Sequence, residues 1–493
     1  MKRLALTALA LTLSGCADKT PDDTAVEDGP LALEPGAAGA MDSLGDRVAV
    51  DLAEAGTYWV VLMSQAPDQS TTFGYGSEAS AARRVDPTSP LPAVERHDAR
   101  PMLTPAVGDT RTFRVHNGST AVTVTGEVIA TSDQVVVWRD TTTANPLGDL
   151  DMTRVMEVVD AYGQIVLPRE RAIFGEESDV DGGGTMDVLL SYTVNQTGAA
   201  AYVSGCDIGV GDCGTWGNGA EIMYMGIPED DGHGSTNGIV ETFAHEHNHL
   251  VYDFHKYALN GQEDLSENVY VTEGMSALAQ DLTGYNNGNQ YVWAAAIDMQ
   301  AMYGYQSSTH GISINDVFRG SGRYDAERDG PLRGAAYLFL RYMFEQAGGM
   351  TVTDGGTPVD EGGIAWLHDW FSVPELGPDA VLATTGRSLE EVGLDAYTAL
   401  LLTGRGLPTD PAHTFQPRFD DPLTGYAYGV DPFANIHGWL QLTGVPIQPL
   451  ADADGALRAG GVEYLEVVLD APGRIEIPVA AEAMAVGRVV RAE

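Results

Sequence analysis

The stretch from Ile239 to Ala258, IVETFAHEHNHLVYDFHKYA, constrains this chain more than any other. Val240, Phe243, Ala244, Leu250, Val251, Phe254 and Ala258 recur at helical spacing, which calls for a helix buried on one side. Ser235, Thr236 and Asn237 precede it and offer N-cap side chains. At its centre His245-Glu246-His247-Asn248-His249 forms an H-E-x-x-H pattern. Residues four apart share a helix face, so His245 and His249 can present two imidazoles to one metal ion. Glu246 lies about 100° round the helix, placed to polarise a water on that metal. His247 lies about 200° from His245, which suits packing or support of the site rather than ligation.

Two histidines do not complete a catalytic zinc site, which takes three protein ligands and leaves the fourth position open. Glu273 and His255 compete for the third place. Glu273 belongs to Val271–Leu282, VTEGMSALAQDL, which reads as a second amphipathic helix with Gly284 near its end. A carboxylate on a second helix packed against the first makes a His₂Glu set. His255 instead has the spacing of the longer pattern H-E-x-x-H-x-x-G-x-x-H, with Met275 as its downstream Met-turn. That pattern needs glycine where this chain has Tyr252, so that the backbone can leave the helix sharply. No glycine follows before Gly261, so the helix should continue and carry His255 away from the His245/His249 face. The steric argument favours Glu273; a metzincin-like site with His255 stays open as the alternative.

HEHNH followed by TEGMSALAQDLTGY resembles the gluzincin metallopeptidases, and in detail the hyicolysin-type family. Upstream, FGEESDVDGGGTMDVLL, AAAYVSGCD and GAEIMYM resemble that family's run into its active-site helix. Downstream, RGAAYLFLRYMFEQAGG resembles the helix after its catalytic core, and the similarity spans roughly residues 105 to 405. The resemblance implies a zinc metalloendopeptidase acting on protein or peptide substrates, with Zn2+ on His245, His249 and Glu273 and with Glu246 as general base. It also implies that an edge strand before the helix, here Ala220–Met225, pairs with extended substrate, an ordinary core strand being the equal alternative. Thermolysin-like gluzincins carry Asp four residues after the glutamate ligand. This chain has Ala277 there, so the acid that orients a ligand histidine is another residue, of which Asp281 is one candidate, or is absent. Zincins also use a Tyr or His to bond the oxyanion; the sequence offers His310, Tyr324 and Tyr337 and does not choose among them.

Charge and termini bound the rest. The 493 residues carry a net charge of −43, which excludes nucleic acid and anionic surfaces as electrostatic partners. Lys2 and Arg3, an apolar run from Leu4 to Leu13, and Leu13-Ser14-Gly15-Cys16 resemble a bacterial lipoprotein signal, an ordinary secretory signal being the alternative. The run is too short to span a bilayer. Cys16 would carry the lipid, and the chain would reach the outer membrane or cell surface with that lipid as its only membrane attachment. Residues 17–42 read as an acidic tether. The expected fold class is α+β. A zincin-type catalytic domain with a mixed sheet (146–410) is flanked by β-rich domains at the N-terminus (43–145) and C-terminus (411–493). In an exported chain Cys206 and Cys213 are expected to form a short-loop disulfide. Asp179, Asp181 and Asp187 in DVDGGGTMD supply either a calcium (Ca2+) site or an acidic tight turn. A rival from another class remains: a non-catalytic surface binding or adhesion protein with a structural zinc site.

Overall fold

The computed structural model describes residues 29–67, 71–76, 82–83, 105–118, 120–211, 216–228, 235–261, 267–297, 313–320, 329–450 and 455–493. The signal with Cys16, the first part of the expected tether, Cys213, His310 and Tyr324 lie outside the described residues. The principal strands are β1 (Ala38–Ala40), β2 (Arg47–Leu52), β3 (Gly56–Ser64), β4 (Thr110–His116), β5 (Ala121–Thr131), β6 (Val135–Asp140), β7 (Met186–Leu190), β8 (Ala201–Val203), β9 (Ile222–Met225), β10 (Val462–Leu469), β11 (Gly473–Pro478) and β12 (Ala485–Arg491). The principal helices are α1 (Met152–Ala161), α2 (Leu167–Phe174), α3 (Thr236–Tyr252), α4 (Val269–Thr283), α5 (Asn289–Ile297), α6 (Asp329–Gln346) and α7 (Leu389–Leu402).

The fold is mixed α and β, as expected, but its strands are divided otherwise than into two terminal domains. β3 lies between β12 and β10, pairing antiparallel with both, and β2 pairs with β11. The two ends of the chain therefore build one β unit, with a core that includes Val48, Val60, Leu62, Leu465, Ile477 and Val489. β1, expected to be tether, pairs with β12. β4 to β6, expected in the N-terminal domain, belong to the central sheet instead. That sheet runs β8-β9-β7-β6-β5-β4, with β7 parallel to β6 and β9 and the remaining pairs antiparallel. Residues 411–450 also pack on the central body, through Phe415, Tyr428, Val430 and Ile436. Hydrogen bonding between strands takes no account of sequence distance, so a local apolar pattern cannot show which strand a neighbour will be.

The central sheet places the helices. β7 and β9 read MDVLL and IMYM and are buried throughout, as parallel strands covered on both faces should be. On one face lie α1, α3 and the large core; on the other, Phe113, Val136, Trp138, Ile222 and Tyr224 form a smaller one. The helix α3 begins at Ser235, whose side chain accepts from Gly238 N. It buries Val240, Phe243, Ala244, Leu250 and Val251. Each of its larger apolar side chains contributes about 1.5–3 kcal/mol by leaving water. The helix passes Tyr252 without turning out and continues in a wider, π-helical form over Asp253–Ala258. The helix α4 is capped by Asn268 and ends at Gly284, in the left-handed region at φ 86°. Within it Gly274 lets α6 approach closely: a Cβ there would stand 2.5 Å from the Ala336 Cβ.

Candidate metal centre

The packing of α3 beside α4 brings three side chains to one point. Ligand-type atoms of His245, His249 and Glu273 all lie within 4.8 Å of one another. The His245 and His249 Nε2 atoms are 3.2 Å apart. Glu273 Oε2 is 3.1 Å from His245 Nε2, and Glu273 Oε1 is 3.8 Å from His249 Nε2. Donor atoms round a tetrahedral zinc, at bond lengths of about 2.0–2.1 Å, stand about 3.3 Å apart. The donor set is the nitrogen and oxygen set such an ion takes, so the residues fit the group.

Electrostatics agree with that reading. Burial lowers His249 to about 4, so it is a neutral imidazole with a lone pair to offer. Burial also works against a charged His245, but its bond to Glu273 outweighs this and raises it. Glu273 is itself held down at about 2, against its burial, by His245 and His249. The proton shared by His245 and Glu273 marks where a cation is favoured, and a metal bound there would displace it. Arg333 of α6 reaches the same Glu273 carboxylate and donates from Nε to Asp329 Oδ2 at 2.8 Å. Sequence patterning does not single it out; its only signal there is its place at the start of the amphipathic run Pro331–Gln346.

Glu246 opens on the same cleft, which has a volume of about 740 Å³ and is walled by β8, α3, the start of α4 and Arg333. Burial raises its carboxyl to about 7, so it can hold or release a proton near neutrality. The edge strand beside the cleft is β8, not Ala220–Met225. The latter region contributes β9, which lies between β8 and β7 as an interior strand. Three residues of β8 sufficed for an edge, too short a run to stand out in sequence.

Other expected residues lie elsewhere. His255 Nε2 is bonded to the Glu176 carbonyl at 2.7 Å and does not join the metal group, because the helix continues as the Tyr252 argument required. His247 is fully buried on the opposite face, 3.6 Å from Glu170 and 3.3 Å from Glu177. Asp281 does not orient a ligand histidine. Its carboxylate accepts from Tyr337 OH, Arg341 and Asn286, in a buried network. Tyr337 is spent in the same network and is absent from the cleft wall, which removes it from the oxyanion role. The calcium set does not assemble as expected. Asp187 faces the other side of β7, where Arg111 and Trp138 donate to it at 2.9 Å. Glu221 stands in its place beside Asp179 and Asp181. Those three acids accept from Gly184 N, Gly183 N, Val180 N and Ser178 Oγ, which makes the loop an acidic tight turn.

No family model matches the chain, and no curated protein matches it in sequence. The hyicolysin-type resemblance therefore rests on the motif residues alone. Among solved structures, a mutant M1 zinc metallopeptidase from Deinococcus radiodurans matches 62% of this chain and 54% of its own at 12% identity, with a TM-score of 0.29. The chain thus spans about half the length of that protein, and a likeness at this TM-score carries no argument about function.

Proposed function

We propose that the chain is a zinc-dependent metalloendopeptidase of the gluzincin type that hydrolyses peptide bonds of extracytoplasmic proteins. The observation that carries this is the convergence of His245, His249 and Glu273 on one point, with Glu246 opening on the same cleft. Those three residues would hold the ion, which supplies Lewis acidity to the attacking water and the scissile carbonyl. Glu246 takes the proton of the attacking water and returns it to the leaving amine. Its place on the turn after His245 puts it beside the attack without making it a ligand. Strand β8, which pairs on one side only among the described strands, offers its other edge to an extended substrate, which aligns the scissile bond along the cleft. Arg333 pairs with Glu273 Oε2, the oxygen that also faces His245 Nε2, and so holds that carboxylate in place.

Digestion of unfolded casein, with and without a zinc chelator, tests the reading. Cleavage that the chelator stops and zinc restores is expected. A folded, zinc-loaded sample that cleaves nothing would favour the binding-protein alternative. Export as a lipoprotein through Cys16 is part of the same proposal. Mass spectrometry of a lipid-modified peptide beginning at Cys16 checks it, and a mature chain beginning elsewhere would refute it. The Cys206–Cys213 disulfide remains a proposal as well. Thiol titration of the denatured protein reads it, and two free thiols would overturn it.

A further inference from the structure

The cleft does not end at the metal group. Four residues past His249 stands Asp253, so His245, His249 and Asp253 follow one another along the same side of one helix, and all three line the cleft. Asp253 is half-buried, and its carboxylate makes no hydrogen bond or ion pair with any described residue. Two other acids of the cleft, apart from the general base Glu246, are paired within the protein. Glu273 has His245 and Arg333. Glu267 accepts from Asn268 N, Gly377 N and Tyr252 OH.

The position of the Asp253 carboxylate is built, not incidental. Its Oδ2 rests against Gly205, two residues past the end of β8, where a Cβ would come within 2.7 Å of it. Only glycine leaves the carboxylate that room. The group thus sits between the end of the metal-binding helix and the end of the strand that substrate would pair with. Burial raises its carboxyl to about 7, with no cation or donor among the described residues to offset the cost. A carboxylate placed this way is stabilised by a charge that arrives from outside.

We propose that Asp253 determines specificity by binding a cationic group of the substrate, guanidinium or ammonium, next to the scissile bond. This rests on the peptidase reading. The cation is either an arginine or lysine side chain or a free α-amine, and peptides distinguish the two. One pair has a blocked N-terminus and differs only in arginine against citrulline. A second pair has no basic side chain and differs only in a free against an acetylated N-terminus.

The test is the ratio of kcat/KM within each pair, measured on the zinc-loaded full chain and on Asp253→Asn. We expect the cationic member of one pair to be preferred, and Asp253→Asn to reduce that ratio by about 10- to 100-fold, the value of a charge-assisted bond. Gly205→Ala, which displaces the carboxylate without removing it, should reduce the same ratio by less. A loss of fold would lower both members together and leave the ratio unmoved. The same pairs are also titrated against zinc-loaded Glu246→Gln, so that the ratio of Kd values is read without turnover. Cleavage with no cationic preference, or a preference that Asp253→Asn keeps, overturns the proposal while the peptidase reading stands. Absence of all cleavage with an Asp253-dependent Kd ratio removes the peptidase reading and leaves the cation site. Absence of both overturns the two together.

Discussion

One helix carries two histidine–carboxylate groups on opposite faces, and they are put to opposite uses. On the cleft face, His245 and His249 turn their Nε2 atoms toward each other at 3.2 Å, with one carboxylate, Glu273, between two rings. On the core face, His247 stands alone between two carboxylates, Glu170 and Glu177. Burial lowers His249 to about 4; it acts on His247 too, but the two glutamates outweigh it and raise that ring to about 9. The first group thus has lone pairs to give to a cation, and the second already holds its cation in the imidazolium. Arg171 pairs with Glu177 and balances the remaining charge. The ratio of rings to acids, not the presence of histidine, separates a metal site from a buried ion pair.

That contrast can be broken by experiment. Glu246→Gln should lower kcat by about 10²–10⁴-fold while zinc content, read by elemental analysis, stays at the wild-type value. Turnover at the wild-type rate would end the general-base assignment. Glu273→Ala should lose zinc under dialysis that leaves it on the wild type, whereas His255→Ala should keep it. The reverse result would restore the metzincin-like alternative. On the core face the signs invert. His247→Gln leaves Glu170 and Glu177 facing each other and should cost about 3–5 kcal/mol of stability in urea unfolding, with zinc retained. If that variant unfolds like the wild type but loses zinc, the two faces are not independent. Chelation should lower the stability of the wild type by about 2.7 kcal/mol for zinc held at a hundred times its Kd, as a fall in Tm, and should not move Glu273→Ala. The smallest effect sharpens the comparison: Gly274→Ala should push α4 off α6, at about 1–3 kcal/mol, and weaken zinc through the displaced Glu273.

Much of the site could be read from sequence because its parts are local. His245, Glu246 and His249 lie within one helical turn of each other, and the period of the surrounding apolar residues sets which way they face. Glu273 and the exclusion of His255 followed from one steric fact, that Tyr252 cannot take the turn a glycine would. Asp281 and Tyr337 could be named from sequence but not placed, because spacing along a helix says nothing of what the next helix brings. Arg341 and Asn286, distant or in a loop, claim Asp281. The same blindness hid β8. It also hid the joining of both chain ends in one β unit, where β3 and β10 pair across some four hundred residues.

Sequence by itself determined the helix α3, its cap, its buried stripe and the two imidazoles on one face, since each depends on residues within a few positions of one another. It also determined the extreme net charge of −43, which opposes nucleic-acid binding by charge. Tertiary structure decided which carboxylate meets those imidazoles and which strand forms the edge of the cleft. It also decided that Asp187 turns away from the acidic loop and that Asp253 is left without a partner among the described residues. These are contacts between segments far apart in the chain, and they are set by close packing, as at Gly274 and Gly205, where the absence of one Cβ fixes the distance between two elements.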